Sequence, residues 1–228
     1  VNLGGISNVT YLPKGSGSAE LAAFDTGPAN MVLDGLMSRI TNGRASMDRE
    51  GRLAAKGLVD SRLLAKLLAH PYLSQAPPKS TGREAFGTKM LDELLNWQHT
   101  RRLSVEDLLA TCSRWTAEAV GTARRWIKGG IDDVIVGGGG VRNRAIMGHL
   151  TDIFAPVPVT SFEAHGWDSK ALESVAFAVL AYQTIMEQCG NVPSVTGAAS
   201  PRILGCIVPS GPQWYEQLRS RKGGSKKK

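Results

Sequence analysis

The sequence predicts an α/β domain built on a mixed sheet that is flanked by helices. Two strand-like runs, 1–12 and 21–24, are separated by a Gly- and Ser-rich turn at 13–18, which predicts a β-hairpin. Further along, short apolar strands at 133–136 and 157–162 alternate with helical segments. Such alternation is typical of parallel strands joined by helical crossovers, so both strand directions are expected in one sheet.

The helical segments are recognised by apolar residues that recur every three or four positions. A helix capped by Asn30 is expected to run to Ile40, and Ser104 followed by Asp107 predicts a capping box. Further helices are predicted at 48–68, 86–97, 104–127, 142–154 and from Asp168 or Ser169 onward. In the last of these, the residues predicted to form one packed face are Ala171, Leu172, Val175, Ala176, Val179 and Leu180.

Composition excludes several classes of protein. Hydrophobic residues make up 42% of the 228 residues and charged residues 21%, which is typical of a folded domain rather than a disordered chain. No apolar run approaches the ~20 residues that span a bilayer, and the first residues do not match the pattern of a signal peptide. The three cysteines have no metal-site spacing, so we expect free thiols in a cytoplasmic protein.

The net charge of +7 is concentrated at the C-terminus. We therefore predict a domain at 1–212 followed by a basic, disordered tail at 213–228. The tail contains no aromatic residue between its charges, so a solvated end is favoured over nucleic-acid or membrane binding. Because the chain opens at Val1 directly in a strand, we expect an upstream region to be missing.

The strongest local motif is a buried strand that enters four glycines, Gly137–Gly140, before a helix begins. Glycines permit close approach of a ligand to the backbone, and helix N-termini offer N–H groups to phosphate oxygens. Gly138, Gly139 and Gly140 are thus candidate phosphate contacts, and Asn143 is a candidate side-chain donor. The alternative is a tight strand-to-helix turn that binds nothing. The spacing matches neither a Walker A loop nor a dinucleotide fingerprint.

Four other positions are candidates for catalysis or for binding phosphate or metal. Asp25, in the motif Phe24–Asn30, is a candidate general base or metal ligand, or else it forms a local Asx turn. Gly4 and Gly5 interrupt a strand, which indicates either a phosphate close to the backbone or a bulge. Glu173 lies in the first turns of a helix and either interacts with the helix N-terminus or binds Mg²⁺.

A further loop, 78–84, contains Lys79 and Arg83. These side chains are suited to contact anions, but the loop could equally be held by hydrogen bonds and ion pairs within the chain.

In their order, the motifs resemble the second half of the anhydro-N-acetylmuramic acid kinase family, to which fungal levoglucosan kinases are similar. The resemblance covers Asn2 to Pro209. The motifs are N-L-G-G-I-S-N, F-D-T-G-P-A-N, P-K-S-T-G-R-E, the strand into G-G-G-x-x-N, E-S-V-A-F-A-V-L-A and N-V-P-S-V-T-G-A. The resemblance implies a ribonuclease-H-like lobe of the actin-like ATPase and sugar kinase superfamily, here the C-terminal, nucleotide-binding lobe.

The resemblance also implies a reaction. ATP and Mg²⁺ would lie between two lobes, with Gly4, Gly5 and the 138–143 motif on the nucleotide side and Glu173 near the metal or sugar. Asp25 would act as general base on a water that opens the 1,6-anhydro bridge, and the released O6 would take the γ-phosphoryl group. The product would be a 6-phosphosugar.

Two departures from the family pattern matter. Ala29 stands where the family usually has Gly, at a cost of about 1 kcal/mol if φ there is positive. The first lobe, with its G-T-S-x-D-G phosphate loop, is missing from this sequence. We therefore expect little activity without a partner lobe and an exposed interlobe face that promotes self-association as a homodimer. The alternative is a non-catalytic single-lobe module that binds nucleotide or a partner.

Overall fold

The computed structural model describes residues 1–15, 20–169, 171–208, 211 and 213. Most of the predicted basic tail, and residues 16–18 of the predicted hairpin turn, lie outside the described residues. Within them, no helix is long and apolar enough to cross a membrane.

The strands form the mixed sheet that the sequence predicts. Three pair antiparallel in the order β1-β2-β3 and two pair parallel, and their bounds are Asn2–Leu3 (β1), Ile6–Tyr11 (β2), Ala22–Pro28 (β3), Val134–Val136 (β4) and Val159–Ser161 (β5). A parallel bridge between Asn2 and Gly137 joins the two parts, and the N–H of Leu3 donates to the oxygen of Gly137 at 2.8 Å. Across this bridge the strands lie in the order β3-β2-β1-β4-β5.

Gly4 and Gly5 lie between β1 and β2, which are antiparallel. The predicted single strand over 1–12 is therefore two strands, and the glycines form the turn between them. A bulge does occur nearby, but in the pairing of β2 with β3, next to Ser7 and Asn8.

Eight α-helices are described: Asn30–Ile40 (α1), Ser61–Leu68 (α2), Arg83–Phe86 (α3), Thr88–Arg101 (α4), Val105–Gly121 (α5), Arg144–Phe154 (α6), Leu172–Ile185 (α7) and Pro193–Thr196 (α8). The prediction of one helix over 48–68 is wrong, because only α2 and two short 3₁₀ turns form there. Glu50 and Gly51 have positive φ angles of 60° and 69°, which interrupt any helix.

Helix α5 is the centre of the core and packs against α2, α6 and β3. Trp115, on this helix, is completely buried. The Oγ of Ser104 accepts from the N–H of Asp107 at 3.0 Å, as predicted for an N-cap. The reciprocal half of the capping box is absent, because the Asp107 carboxylate accepts from the N–H of Leu58 instead. The helix also ends at Gly121, and a 3₁₀ turn replaces its predicted last turn.

Helix α7 differs from the prediction most. It begins at Leu172, and none of its residues is buried. Val175 and Val179, expected to face a core, are 46% and 50% exposed, and Phe177 is 64% exposed. A helix that is apolar on all sides is normally enclosed by protein. The described residues provide no second layer to cover it.

Candidate nucleotide and sugar sites

An open groove of about 1610 Å³ runs between the sheet and α7. It is lined by the predicted site residues Gly4, Gly138, Gly139 and Glu173, among others. The fold therefore brings together the β1–β2 turn, the glycine turn after β4 and the first turn of α7, which are far apart in sequence. Gly5, Asp25, Gly140 and Asn143 do not line the groove.

In the glycine turn after β4, two positions require glycine because the turn packs against β1. Gly138 has φ +84°, and a Cβ there would lie 2.8 Å from the oxygen of Leu3. A Cβ on Gly140 would lie 2.5 Å from the Cβ of Leu3. For these two positions, the close packing of the turn is by itself a sufficient reason for glycine.

Gly139 is different. The atom nearest to a Cβ built there is Nδ2 of Asn30, at 3.8 Å, so the chain itself leaves room for a side chain. The backbone N–H groups of Gly138, Gly139 and Gly140 donate no hydrogen bond to the described residues. A turn with unpaired N–H groups beside an open groove suits the oxygens of a phosphate.

Asn143 caps α6. Its Oδ1 accepts from the N–H groups of Ala145 and Ile146 at 3.1 and 3.2 Å, and the residue is buried. Two N–H groups at the start of α6, which the sequence predicted to be available to phosphate, therefore already donate hydrogen bonds within the chain. The geometry supports a structural role for Asn143, and its contact with nucleotide stays a prediction.

The β1–β2 turn is held by the start of α1. The N–H groups of Ala29 and Met31 donate to the oxygen of Gly5 at 3.0 and 3.1 Å, and that of Asn30 donates to the oxygen of Gly4 at 3.1 Å. Extra atoms would fit the turn, since a Cβ on Gly4 or Gly5 would have its nearest neighbours at 3.4 and 3.5 Å. The turn therefore does not require glycine for its own packing.

The prediction that Asn30 caps α1 is wrong. The N-cap position is Ala29, which makes no side-chain cap, and Asn30 is the first helical residue. The Asn30 amide nitrogen instead donates to the oxygens of Leu3 and Gly4 at 3.0 and 2.9 Å. Ala29 has φ −129°, outside the left-handed region, so this departure from the family pattern carries no left-handed strain.

Asp25 lies within β3, paired with Asn8, rather than after the strand as predicted. Its Oδ2 accepts from the N–H of Thr81 at 2.9 Å. Its backbone oxygen accepts from the hydroxyl of Tyr72 at 2.9 Å, and its N–H donates to the oxygen of Lys79 at 3.3 Å. The Asx-turn alternative is wrong, because the carboxylate binds a loop 56 residues away.

The loop 78–84 is anchored through Lys79. Its Nζ donates to the oxygen of Tyr72 at 3.1 Å and lies 4.6 Å from the centre of the Tyr72 ring and 5.7 Å from that of Phe24. Burial lowers the pKa of Lys79. Burial, together with the carboxylates of Asp25 and Glu84, raises the pKa of Tyr72. Internal contacts therefore explain Lys79, whereas Arg83 stays exposed.

Sequence reasoning did not identify Tyr72 or Thr81 as supports of Asp25. It also missed the segment after Asp48, whose Gly51 packs against Asn143 so closely that a Cβ would lie 2.2 Å from its Oδ1. The carboxylate of Asp48 accepts from the N–H groups of Leu53 and Ala54 at 3.0 and 2.9 Å. The signal available in the sequence was Asp48, three residues before Gly51.

Glu173 is exposed in the first turn of α7 and lines the groove. The described residues contain no group of three or more His, Cys, Asp or Glu side chains that could hold a metal ion. A cation at Glu173 would therefore be held by at most two such side chains of the described residues, together with ligand oxygens and water. Mg²⁺ in phosphate sites is typically bound in this way.

The sequence profile of the anhydro-N-acetylmuramic acid kinase family matches residues 1–210. This chain belongs to that family. It is 40% identical over 212 residues to the anhydro-N-acetylmuramic acid kinase of Clostridioides difficile, covering 91% of this chain and 54% of that protein. It is 43% identical over 215 residues to that of Salinibacter ruber, covering 93% and 54%. The chain thus spans about half the length of these kinases.

Among solved structures, the chain has a TM-score of 0.40 to component A of the (R)-2-hydroxyglutaryl-CoA dehydratase of Acidaminococcus fermentans. The two are 20% identical, and the match covers 70% of this chain and 53% of that one. This likeness is too distant to carry an argument. The place of the chain in the kinase family rests on the sequence matches.

Proposed function

We propose that this chain is the nucleotide-binding part of an ATP-dependent kinase that acts on a 1,6-anhydro sugar. The observation that carries the proposal is the convergence of Gly4, Gly138, Gly139 and Glu173 on one groove. The names of the relatives favour anhydro-N-acetylmuramic acid as the sugar. Levoglucosan, which lacks the lactyl and acetamido groups, is the alternative substrate.

The N–H groups of Gly138 and Gly139 are proposed to bind phosphate oxygens of ATP, with the neighbouring β1–β2 turn lining the same groove. Mg²⁺, held by Glu173 and the nucleotide, would neutralise charge on the phosphates. The exposed carboxylate and the unpaired N–H groups fit these two roles. Phosphoryl transfer depends mainly on such positioning and charge neutralisation.

Asp25 is proposed as the general base of ring opening. The N–H of Thr81 binds its Oδ2, and its Oδ1 accepts no hydrogen bond from the described residues. Oδ1 would take a proton from water as the water oxygen bonds to the anomeric carbon and the bond from that carbon to O6 breaks. O6 then takes the γ-phosphoryl group of ATP, which leaves ADP and a 6-phosphosugar.

Because the chain covers 54% of the relatives' length, we propose that it needs the rest of a kinase for turnover and that this partner covers α7. The alternative is a homodimer in which α7 of a second copy packs against α7. The cytoplasmic location stays a prediction. A non-catalytic nucleotide-binding module would need the groove, but it would not need an aspartate whose backbone oxygen is bound by Tyr72 and whose carboxylate is bound by Thr81, so the geometry of Asp25 favours the enzyme.

Titration calorimetry of the chain with ATP or ADP and Mg²⁺ tests the nucleotide site. We expect binding that Gly139→Val abolishes and Gly139→Ala weakens, because an added side chain would enter the groove. Gly148→Ala is the matched control, since Gly148 is exposed on α6 and a Cβ there meets no atom within 4 Å. Absence of binding by the unmodified chain at millimolar nucleotide would contradict the proposal that this chain binds nucleotide by itself.

A further inference from the structure

Asn30 hydrogen-bonds the β1–β2 turn and lies beside the glycine turn after β4, and both turns line the groove. Its Nδ2 donates to the oxygens of Leu3 and Gly4 at 3.0 and 2.9 Å, and its backbone N–H donates to the oxygen of Gly4 at 3.1 Å. The same Nδ2 lies 3.8 Å from the place where a Cβ on Gly139 would stand. Since Asn30 does not cap α1, the stability of that helix does not account for these contacts.

These hydrogen bonds determine which way the β1–β2 turn presents its backbone. The carbonyl groups of Gly4 and Gly5 are both directed at the start of α1. In a planar trans peptide the C=O and the following N–H point in opposite directions. The N–H of Gly5 is therefore turned away from α1, where it is available to an acceptor outside the helix.

We propose that Asn30 is a positioning residue for the nucleotide. It holds the β1–β2 turn with its carbonyl groups toward α1 and sets the separation between that turn and Gly139. This inference rests on the proposed nucleotide site, and it assigns to Asn30 the task of keeping both phosphate-facing turns in register. Loss of the amide donor would remove one hydrogen bond from the oxygen of Leu3 and one from that of Gly4, which would then be held only by the backbone N–H of Asn30, so that the turn could rotate.

The sharpest variant is Asn30→Asp, which keeps the shape of the side chain but places a carboxylate oxygen against two carbonyl oxygens. Repulsion should displace the turn at neutral pH. As the pH is lowered toward 5, the introduced carboxyl takes up a proton because the two oxygens disfavour its charge, and one donor is restored. Asn30→Ala removes the donor at every pH. Asn96→Ala, on the exposed side of α4, is the matched control.

Two measurements decide the inference. In the unliganded chain, we expect Asn30→Asp to shift the ¹H–¹⁵N signals of Gly4, Gly5 and Gly139, with distant amide signals unchanged. For ADP and Mg²⁺, we expect the Kd to rise about tenfold in both variants at pH 7.5 through the loss of two hydrogen bonds. Relative to the unmodified chain at the same pH, only Asn30→Asp should recover affinity near pH 5.

The outcomes separate this inference from the proposed function. If the unmodified chain binds no nucleotide, the proposed nucleotide site fails, while the amide signals still report whether Asn30 holds the turns. If those signals stay unchanged in both variants, the positioning role is refuted even where nucleotide binds. Equal loss of affinity at both pH values in Asn30→Asp would also overturn it, because a general loss of structure would not be reversed by protonation.

Discussion

The backbone N–H of Thr81 donates a hydrogen bond of 2.9 Å to Oδ2 of Asp25, across 56 residues of sequence. Tyr72 donates to the backbone oxygen of the same residue. One carboxylate oxygen and the backbone are therefore held by separate parts of the chain. A base whose orientation is set in this way can direct its other oxygen at a water without first reorganising.

The first prediction concerns the support of Asp25 by this hydrogen bond. Thr81→Pro removes the N–H donor and is expected to lower the rate of ring opening by about a hundredfold through misplacement of the carboxylate. Thr81→Ala keeps the N–H and should retain most of the activity. The assay is phosphorylation of anhydro-N-acetylmuramic acid by this chain complemented with the unmatched part of the Clostridioides difficile relative. Equal rates for both variants would show that Thr81 does not support the base.

A second prediction concerns the aromatic cluster beneath the loop 78–84. Phe86 is completely buried, and its ring centre lies 5.7 Å from that of Trp115 and 5.8 Å from that of Tyr72. Phe86→Ala should lower the free energy of unfolding by about 3–5 kcal/mol because it leaves a cavity. Phe86→Leu should cost clearly less. Urea denaturation measures both, and similar midpoints for the two variants would count against a tightly packed cluster.

The third prediction is a loss of stability at acid pH. Burial, helped by the charge of Arg114, lowers the pKa of His149 below its usual 6.5, while Asp152 and Glu118 oppose the shift. Below pH 6.5 the unfolded chain binds a proton at this position that the folded chain resists, so stability falls as the pH drops from 6.5 toward the folded pKa.

His149→Gln should remove part of this loss between pH 7.5 and 5.5 in urea denaturation. Burial lowers the pKa of His70 in the same direction, so a weaker acid dependence should remain in the variant. Identical pH dependence with and without His149 would exclude its contribution.

The fourth prediction concerns α7. Phe177 and Tyr182 are 64% and 57% exposed on a helix without buried residues, so the chain should self-associate at high concentration. Replacing both by Lys should yield a monomer in analytical ultracentrifugation. Lys at the exposed positions Asn96 and Thr100 of α4 is the control for added charge and should leave the association unchanged. A monomeric unmodified chain would contradict the prediction.

Local patterns in the sequence were sufficient to predict several of the strands and long helices. The hairpin of β2 and β3, the buried strand β4 and the start of α5 at Ser104 all follow from side-chain alternation or from capping residues near in sequence. The helix predicted over 48–68 failed because two positive φ angles depend on contacts of that segment with α6 and not on its own periodicity.

Only the tertiary structure decided which residues of the motifs line the groove and which support the structure around it. Gly138, Gly139 and Gly140 are equivalent in sequence, yet only Gly139 has room for a side chain, because β1 packs against the other two. Asn30 stands in the sequence where a helix cap is expected, but its side chain donates hydrogen bonds to the β1–β2 turn. Asp25 stands in a motif typical of a local turn, but its carboxylate accepts a hydrogen bond from the N–H of Thr81. The sequence by itself thus determined the family, the fold class and the identity of the chemical groups. Their roles were decided by contacts between distant segments, which exist only once the chain is folded.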